Sequence, residues 1–364
     1  MQRVPLNDLL RQNNSIRDDL VASASRVIDR GWFIQGEEGA RFEAAFAAYC
    51  SVRHVVGVAN GTDAIELALR AAGVKAGDTV ATVANAGFYS STALLAIGAQ
   101  PLYVDVDATT QLMELASLRR ALDSRPVAAV VVTHLYGQLA AIEDIVSCCD
   151  TRGIVVIEDC AQAHGARRNG KLAGSFGKAG CFSFYPTKNL GALGDAGAVT
   201  TDDPAFATRL RELRQYGWDQ KYRVSRANGR NSRLDEMQAA LLSAKLSHLD
   251  AWNEERRNIA NRYVDEIRHS GIRGLQPIGA DHVAHLFVVR CEDRDRFRRH
   301  LDLNGIATDI HYPIPDHRQP AYEGRIAAEL IETERLATEI VTIPCFNGME
   351  EAEIRRVISA ANGW

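Results

Sequence analysis

The chain has 364 residues, 46% hydrophobic and 24% charged, with a formal net charge of −4 at pH 7. That balance suits a folded globular protein with ample core, and it gives no overall attraction to nucleic acid or acidic membranes. The opening MQRVPLNDLLRQ has no charged-then-apolar leader and no run approaches the length of a membrane span, so a cytoplasmic location is expected.

From residue 54 to 201 seven runs read as strands: HVVGVAN (54–60), TVATVA (79–84), QPLYVDV (100–106), VAAVVVTHLYG (127–137), GIVVIEDCA (153–161), AGCFSFY (179–185) and GAVTT (197–201). Several are continuously apolar, the pattern of strands buried on both faces. Between them lie helical patterns such as TDAIELALRAAG, where Ile65, Leu69 and Ala72 share one face, and AAIEDIVSCCDTRG, stopped by Gly153. The expected fold is therefore an α/β layered domain over residues 1–249, with ligands gathering at the carboxyl ends of its strands. Residues 234–269 read as one long helix bent near 249–253. A smaller α+β domain, 250–364, follows with a strand at HLFVVR, a charged helix over 293–305, the loop HYPIPDHRQPAY, and helices near 330–341 and 350–361. The mixed charges of 292–300 are the solvated face of a helix. Seven cysteines (Cys50, Cys148, Cys149, Cys160, Cys181, Cys291 and Cys345) show no Cys-x-x-Cys pair, and neither they nor the ten histidines have metal-ligand spacing. Reduced, structural thiols and no metal are the expectation.

Three stretches carry chemistry. VVIEDCAQAHGA (155–166) ends a strand on Glu158-Asp159, delivering a carboxylate to the sheet's carboxyl edge. Asp159 by itself reads as a turn cap, with Gln162 and His164 as loop polar groups. VANGTDAIELAL (58–69) runs from strand through Asn60-Gly61-Thr62 into a helix, a junction whose free amides and dipole favour an anion. FSFYPTKNLGALGDAGAV (182–199) sets Lys188 where a strand ends and a glycine-bearing turn begins, with Ser183 nearby. A lysine in a low-polarity pocket keeps part of its amine neutral and able to attack an aldehyde. Together, in one α/β domain, these make a constellation for pyridoxal phosphate, whose ring nitrogen stays protonated beside an anion. GALGDAG is not a dinucleotide fingerprint, and P-loop, H-E-x-x-H and G-x-S-x-G motifs are absent.

These motifs give the chain a resemblance to the DegT/DnrJ/EryC1/StrS sugar aminotransferases. It is carried by VPLNDL (4–9), GWFIQGEEGARFEAAFAAYC (31–50), GTDAIELALRA (61–71), HLYGQ (134–138), IEDCAQAHGA (157–166), FSFYPTKNLGALGDAGAV (182–199), NSRLDEMQAALL (231–242) and HYPIPDHRQPAY (311–322). The resemblance implies a fold type I pyridoxal phosphate transferase, with a mixed, mostly parallel seven-stranded sheet between helices in the large domain. Lys188 would be the internal aldimine lysine and the proton shuttle. Asp159 would pair with the pyridine nitrogen, Gln162 with the ring hydroxyl, and Gly61, Thr62 and Ser183 with the phosphate. Asn231 would reach the phosphate from a second subunit, which makes a homodimer with shared active sites the expectation. Where relatives carry N-T-F-x-A-T this chain has NAGFYSST (85–92), so Tyr89, with Phe88 next, is the expected ring-stacking aromatic. YPTKNLGALGD, rather than a G-E-G-G ending, is similar to the subgroup acting on carbon 3 of dTDP-linked 3-keto-6-deoxyhexoses. Tyr185, His311 and Tyr312 would line the substrate site there, and Lys221 would reach the diphosphate across the dimer. The expected reaction is a ping-pong transfer from L-glutamate. Amination at carbon 4 or of a cyclitol or aminoshikimate-type ring, and a catalytically silent regulator, are the alternatives.

Overall fold

A computed structural model describes residues 3–322 and 329–364. Seven strands, β1 (His54–Val58), β2 (Thr79–Val83), β3 (Gln100–Val104), β4 (Ala129–Thr133), β5 (Val155–Asp159), β6 (Ala179–Ser183) and β7 (Gly197–Thr201), form one sheet in the order β1-β7-β6-β5-β4-β2-β3. All neighbours are parallel except β7, which runs antiparallel to both β1 and β6. The continuous apolar runs arise because successive side chains enter cores on opposite faces. Val131 joins Ile65, Leu69 and Phe206 on one side, while Val130 and Val132 join Leu118, Ile142 and Ile145 on the other. The helices Gly61–Ala71, Tyr89–Ile97 and Pro204–Leu213 cover the first face, and Leu115–Ser124 and Ile142–Asp150 cover the second.

The expected single helix over 234–269 is two helices, Glu236–Leu246 and Leu249–Glu266. The His248 amide folds back on the Lys245 carbonyl and the Ser247 hydroxyl on that of Ala244, so the first helix closes before Leu249. The second helix bridges two cores. Leu249 packs with Phe46 and Phe184 of the sheet's layer, whereas Ile259, Ala260 and Tyr263 join a separate core with Phe287, Phe297, Val341 and Val357. That second core is backed by an antiparallel pair of strands, Phe287–Arg290 and Ile340–Ile343, and by the helices Arg294–Leu303 and Glu351–Asn362. Val4, in the N-terminal arm expected with the first domain, is buried in this second core and bridges to Ile306. All seven cysteines are free and buried. Among the described residues, no helix is long and apolar enough to cross a membrane.

Candidate active site

Alternation along β5 sends its two terminal carboxylates in opposite directions. Glu158 faces inward, where it accepts the amides of Gly174 (2.9 Å), Phe176 (2.8 Å) and Gly177 (2.8 Å) and stands 3.0 Å from His134 Nε2. His134 Nδ1 accepts the Ala140 amide, so Nε2 carries the proton and donates to Glu158. These two and Cys160 lie close enough for a metal set, yet the carboxylate's acceptor sites are already taken by those four donors. Glu158 is an anchor for the 174–177 loop.

Asp159 faces the cavity. Its carboxylate accepts the Ala161 amide at 3.1 Å and the Thr133 hydroxyl at 3.3 Å, so it does cap the following turn. Burial raises its pKa above the usual carboxylate range, and the Ala161 amide and the Lys188 charge pull it back. A dry carboxylate at this edge is suited to a cationic partner.

Lys188 sits half-buried on the turn after β6, where its amide bonds the Tyr185 carbonyl at 2.8 Å. Burial lowers its pKa to about 8, against the opposing pull of Asp159. At neutral pH roughly a tenth of such an amine is unprotonated, against less than a thousandth for an ordinary lysine. The turn is held from beneath. Asn189 is fully buried and donates through Nδ2 to Asn253 Oδ1 (2.8 Å) and the Val283 carbonyl (3.0 Å). Its Oδ1 must therefore accept, from His285 Nδ1 at 3.0 Å. Lys245, 3% exposed, donates to the Gly191 carbonyl at 2.8 Å, and Gln238 accepts the Leu193 amide at 2.9 Å. At Gly191 a Cβ would lie 2.3 Å from the Pro186 carbonyl oxygen, so only glycine closes this turn.

The carboxyl ends of β1 and β6 supply the anion cradle. Asn60 caps the Gly61–Ala71 helix by accepting the Asp63 amide at 2.8 Å, which leaves the first amides of the helix without intrahelical partners. A Cβ at Gly61 would meet the Ser183 Cβ at 2.6 Å, so glycine lets the helix end close on β6. Gln162 accepts the Tyr136 amide at 2.6 Å and donates to the Tyr312 hydroxyl at 3.2 Å. Tyr136 in turn donates to the His311 carbonyl at 2.5 Å, tying the 311–322 loop to the sheet. His164 donates from Nε2 to the Ser183 carbonyl at 2.9 Å, and burial holds its pKa at about 3, so it is neutral.

One cavity of about 880 Å³ collects these groups. Gly61, Thr62 and Ser183 line it, as do Asp159, Gln162 and Lys188. Tyr89, Tyr185, His311 and Tyr312, also expected from sequence, line it as well. Tyr89 stands on the wall and Phe88 does not, because Phe88 takes a left-handed backbone (φ 59°) as the cap of the Tyr89–Ile97 helix. The Asp316 carboxylate fixes that turn, accepting the Phe88 amide at 2.9 Å and the Ser91 hydroxyl at 2.5 Å. Asn231 and Lys221 are exposed and lie outside the cavity of their own chain. Sequence reading missed Arg256 and His285 on the wall, and Asn189, Lys245 and Asp316 behind it. Lys245 left one signal: it sits three residues after Leu242 and four before Leu249, on an apolar face.

The residues present fit pyridoxal phosphate: an amine with a lowered pKa, a buried carboxylate at a strand end, and an amide-lined helix start too tight for a side chain. Fold and site together define an aminotransferase of the α/β type. The chain belongs to the DegT/DnrJ/EryC1/StrS aminotransferase family, whose model matches residues 14–362. It is 42% identical, over all of its length and 96% of the relative's, to a dTDP-3-amino-3,4,6-trideoxy-alpha-D-glucose transaminase from Streptomyces venezuelae. A dTDP-3-amino-3,6-dideoxy-alpha-D-galactopyranose transaminase from Aneurinibacillus thermoaerophilus is 43% identical, with 99% of each chain covered. Among solved structures, S. venezuelae DesV in complex with a ketimine intermediate superposes with a TM-score of 0.96 at 42% identity, covering 100% of this chain and 99% of that one.

Proposed function

We propose that this protein is a pyridoxal phosphate-dependent aminotransferase that converts a nucleotide-linked 3-keto-6-deoxyhexose, carried on dTDP, to the 3-amino sugar with L-glutamate as donor. The observation that carries the reading is the pairing of Lys188 and Asp159 in one cavity, in a chain three of whose relatives are named for 3-amino sugars on dTDP. Bound pyridoxal phosphate supplies an aldehyde and an electron sink.

The chain's own residues do the rest. Gly61, Thr62 and Ser183 hold the phosphate. Asp159 keeps a negative charge beside the ring nitrogen, which is the state its burial otherwise opposes. Gln162 meets the ring hydroxyl, with its orientation set by the Tyr136 amide and Tyr312. Tyr89, on the cavity wall, would stack on the ring. The Lys188 amine holds the cofactor and then moves a proton at Nζ, base and acid in turn. Tyr185, His311 and Tyr312 contact the sugar. Two chains pair as a homodimer, in which Asn231 reaches the partner's phosphate site and Lys221 its nucleotide diphosphate. The exposed side chains of Trp32, Phe33 and Tyr222 favour such pairing, since large apolar groups of this kind gather at interfaces. An enzyme acting on a nucleotide-linked sugar and L-glutamate would work in the cytoplasm.

Mass spectrometry and proton NMR of the product formed from a dTDP-3-keto-6-deoxyhexose, L-glutamate and added cofactor test the reading. An amine on carbon 3 is expected. Amination confined to a 4-keto sugar or to a cyclitol overturns it.

A further inference from the structure

Among the described residues lining the cavity, Lys188 is the only lysine and Arg256 the only arginine. Lys188 is the reacting amine, so Arg256 is the wall's one standing cation. His285 and His311 also line it, but burial depresses both below the usual imidazole range and leaves them neutral. Arg256 rises from the Leu249–Glu266 helix and is 2% exposed. Its Nε donates to Asn347 Oδ1 at 2.9 Å, and Nη1 donates to the Cys345 carbonyl at 2.8 Å. Longer contacts of 3.4 Å reach the carbonyls of Ala284 and His285. Every one of these acceptors is neutral. The neighbouring Glu255 is already engaged by Asn347 Nδ2 and the Gly348 amide, each at 2.8 Å. Nη2 has no acceptor among the described residues.

A guanidinium held by dipoles alone, with one edge unused, is matched to an incoming carboxylate, which forms short charge-assisted bonds with it. An amino acid entering a dry cavity must bring its carboxylate out of water, and that step requires a compensating cation. The sugar nucleotide is also anionic, at its diphosphate. A counter-charge for it is available elsewhere, on the exposed Lys221, whereas Arg256 is sunk beside the His285 carbonyl. We propose that Arg256 is the docking site for a carboxylate of the amino donor, received at Nη2. This assignment rests on the transaminase reading and names the subsite that separates its two substrates.

The test uses holoenzyme of wild type, Arg256→Gln and the charge-preserving Arg256→Lys, with cofactor content and thermal unfolding recorded for each. Cofactor absorbance follows two half-reactions separately, one started with L-glutamate and one with the 3-amino sugar nucleotide. In Arg256→Gln, kcat/KM for L-glutamate should fall on the order of 100-fold, mostly through KM, and far more than for the amino sugar. Preference for L-glutamate over its neutralised 1-amide or over L-glutamine should collapse at the same time. Arg256→Lys should show a smaller loss, again confined to the donor. Equal falls in both half-reactions, a fall confined to the amino sugar, or an unchanged amide preference each overturn the subsite. Should the Gln variant not fold, the same pattern is decided on the Lys variant. A wild-type holoenzyme that reacts with no amino acid sinks the transaminase reading itself, and the subsite with it.

Discussion

The Lys188 turn and the 216–231 segment both bear residues expected at the active site, and they are built by opposite means. Lys188 stands above a layer of buried polar groups that are paired within the chain: Asn189 with Asn253 and His285, and Lys245 with Gly191. The second segment is a two-strand ribbon, Trp218–Gln220 with Arg223–Val224, whose Tyr222 is 78% and Val224 61% exposed. It is tied back at its base, where Gln215 bridges Asn231 and Arg230 bonds Glu66 at 2.9 Å. A reacting amine must be placed to within a fraction of an ångström, and only a saturated hydrogen-bond layer holds it so. The ribbon has no such layer of its own, and in the proposed homodimer the partner would supply the burial.

The sharpest way to break this comparison is Lys188→Ala. It removes a half-buried cation from a turn whose anchors lie elsewhere, so fold and thermal midpoint should persist. Transamination should fall by about 10⁴-fold or more, since nucleophile and proton carrier go together. Circular dichroism alongside an end-point amine assay checks both, and retained activity would remove Lys188 from the chemistry.

Asn231→Ala and Lys221→Ala should each cost less, about 10- to 100-fold, as the loss of one hydrogen bond to a charged group does. Their location makes a stronger test possible. Lys188→Ala protein alone should be inactive and Asn231→Ala protein alone should keep only its residual few per cent, but refolding the two together should restore about a quarter of wild-type activity through mixed dimers with one intact site. No recovery, in mixtures proven by mass spectrometry to exchange subunits, would mean that Asn231 acts within its own chain or not at all.

Asp316 gives the smallest effect, on stability alone. Burial raises its pKa to about 6, above the ordinary carboxylate value of 3.8. As pH rises through that window the unfolded chain ionises first, so this group's contribution to stability falls between about pH 4 and pH 6 and is flat above. Denaturant unfolding should show Asp316→Asn gaining on wild type by on the order of 2–3 kcal/mol from pH 4 to pH 7. A difference that does not change with pH would refute the buried-carboxylate account of the Phe88–Tyr89 turn.

Much of the site was legible before any coordinates. Asp159, Gly61, Thr62 and Lys188 each fall where a continuous apolar run gives way to a polar or glycine-bearing turn, and parallel topology delivers such points to one edge. Phe88 and Tyr89 could not be told apart, because adjacent aromatics differ in direction only once the left-handed residue is known. Asp159 was singled out over Glu158 only through the family resemblance, as both end the same strand. Arg256 was hidden for another reason: in its helix it is one charge among many, and its burial comes from carbonyls at 284, 285 and 345.

What the sequence determined by itself was everything written in local pattern: strand, turn and helix succession, the chemistry borne at each strand end, and the family that shares that order. Tertiary structure alone decided which of those groups meet. The docking of Val4 on the second core and the neutrality of His164 and His285 depend on contacts with residues far along the chain. Burial and charge balance are properties of surroundings, and surroundings exist only after folding.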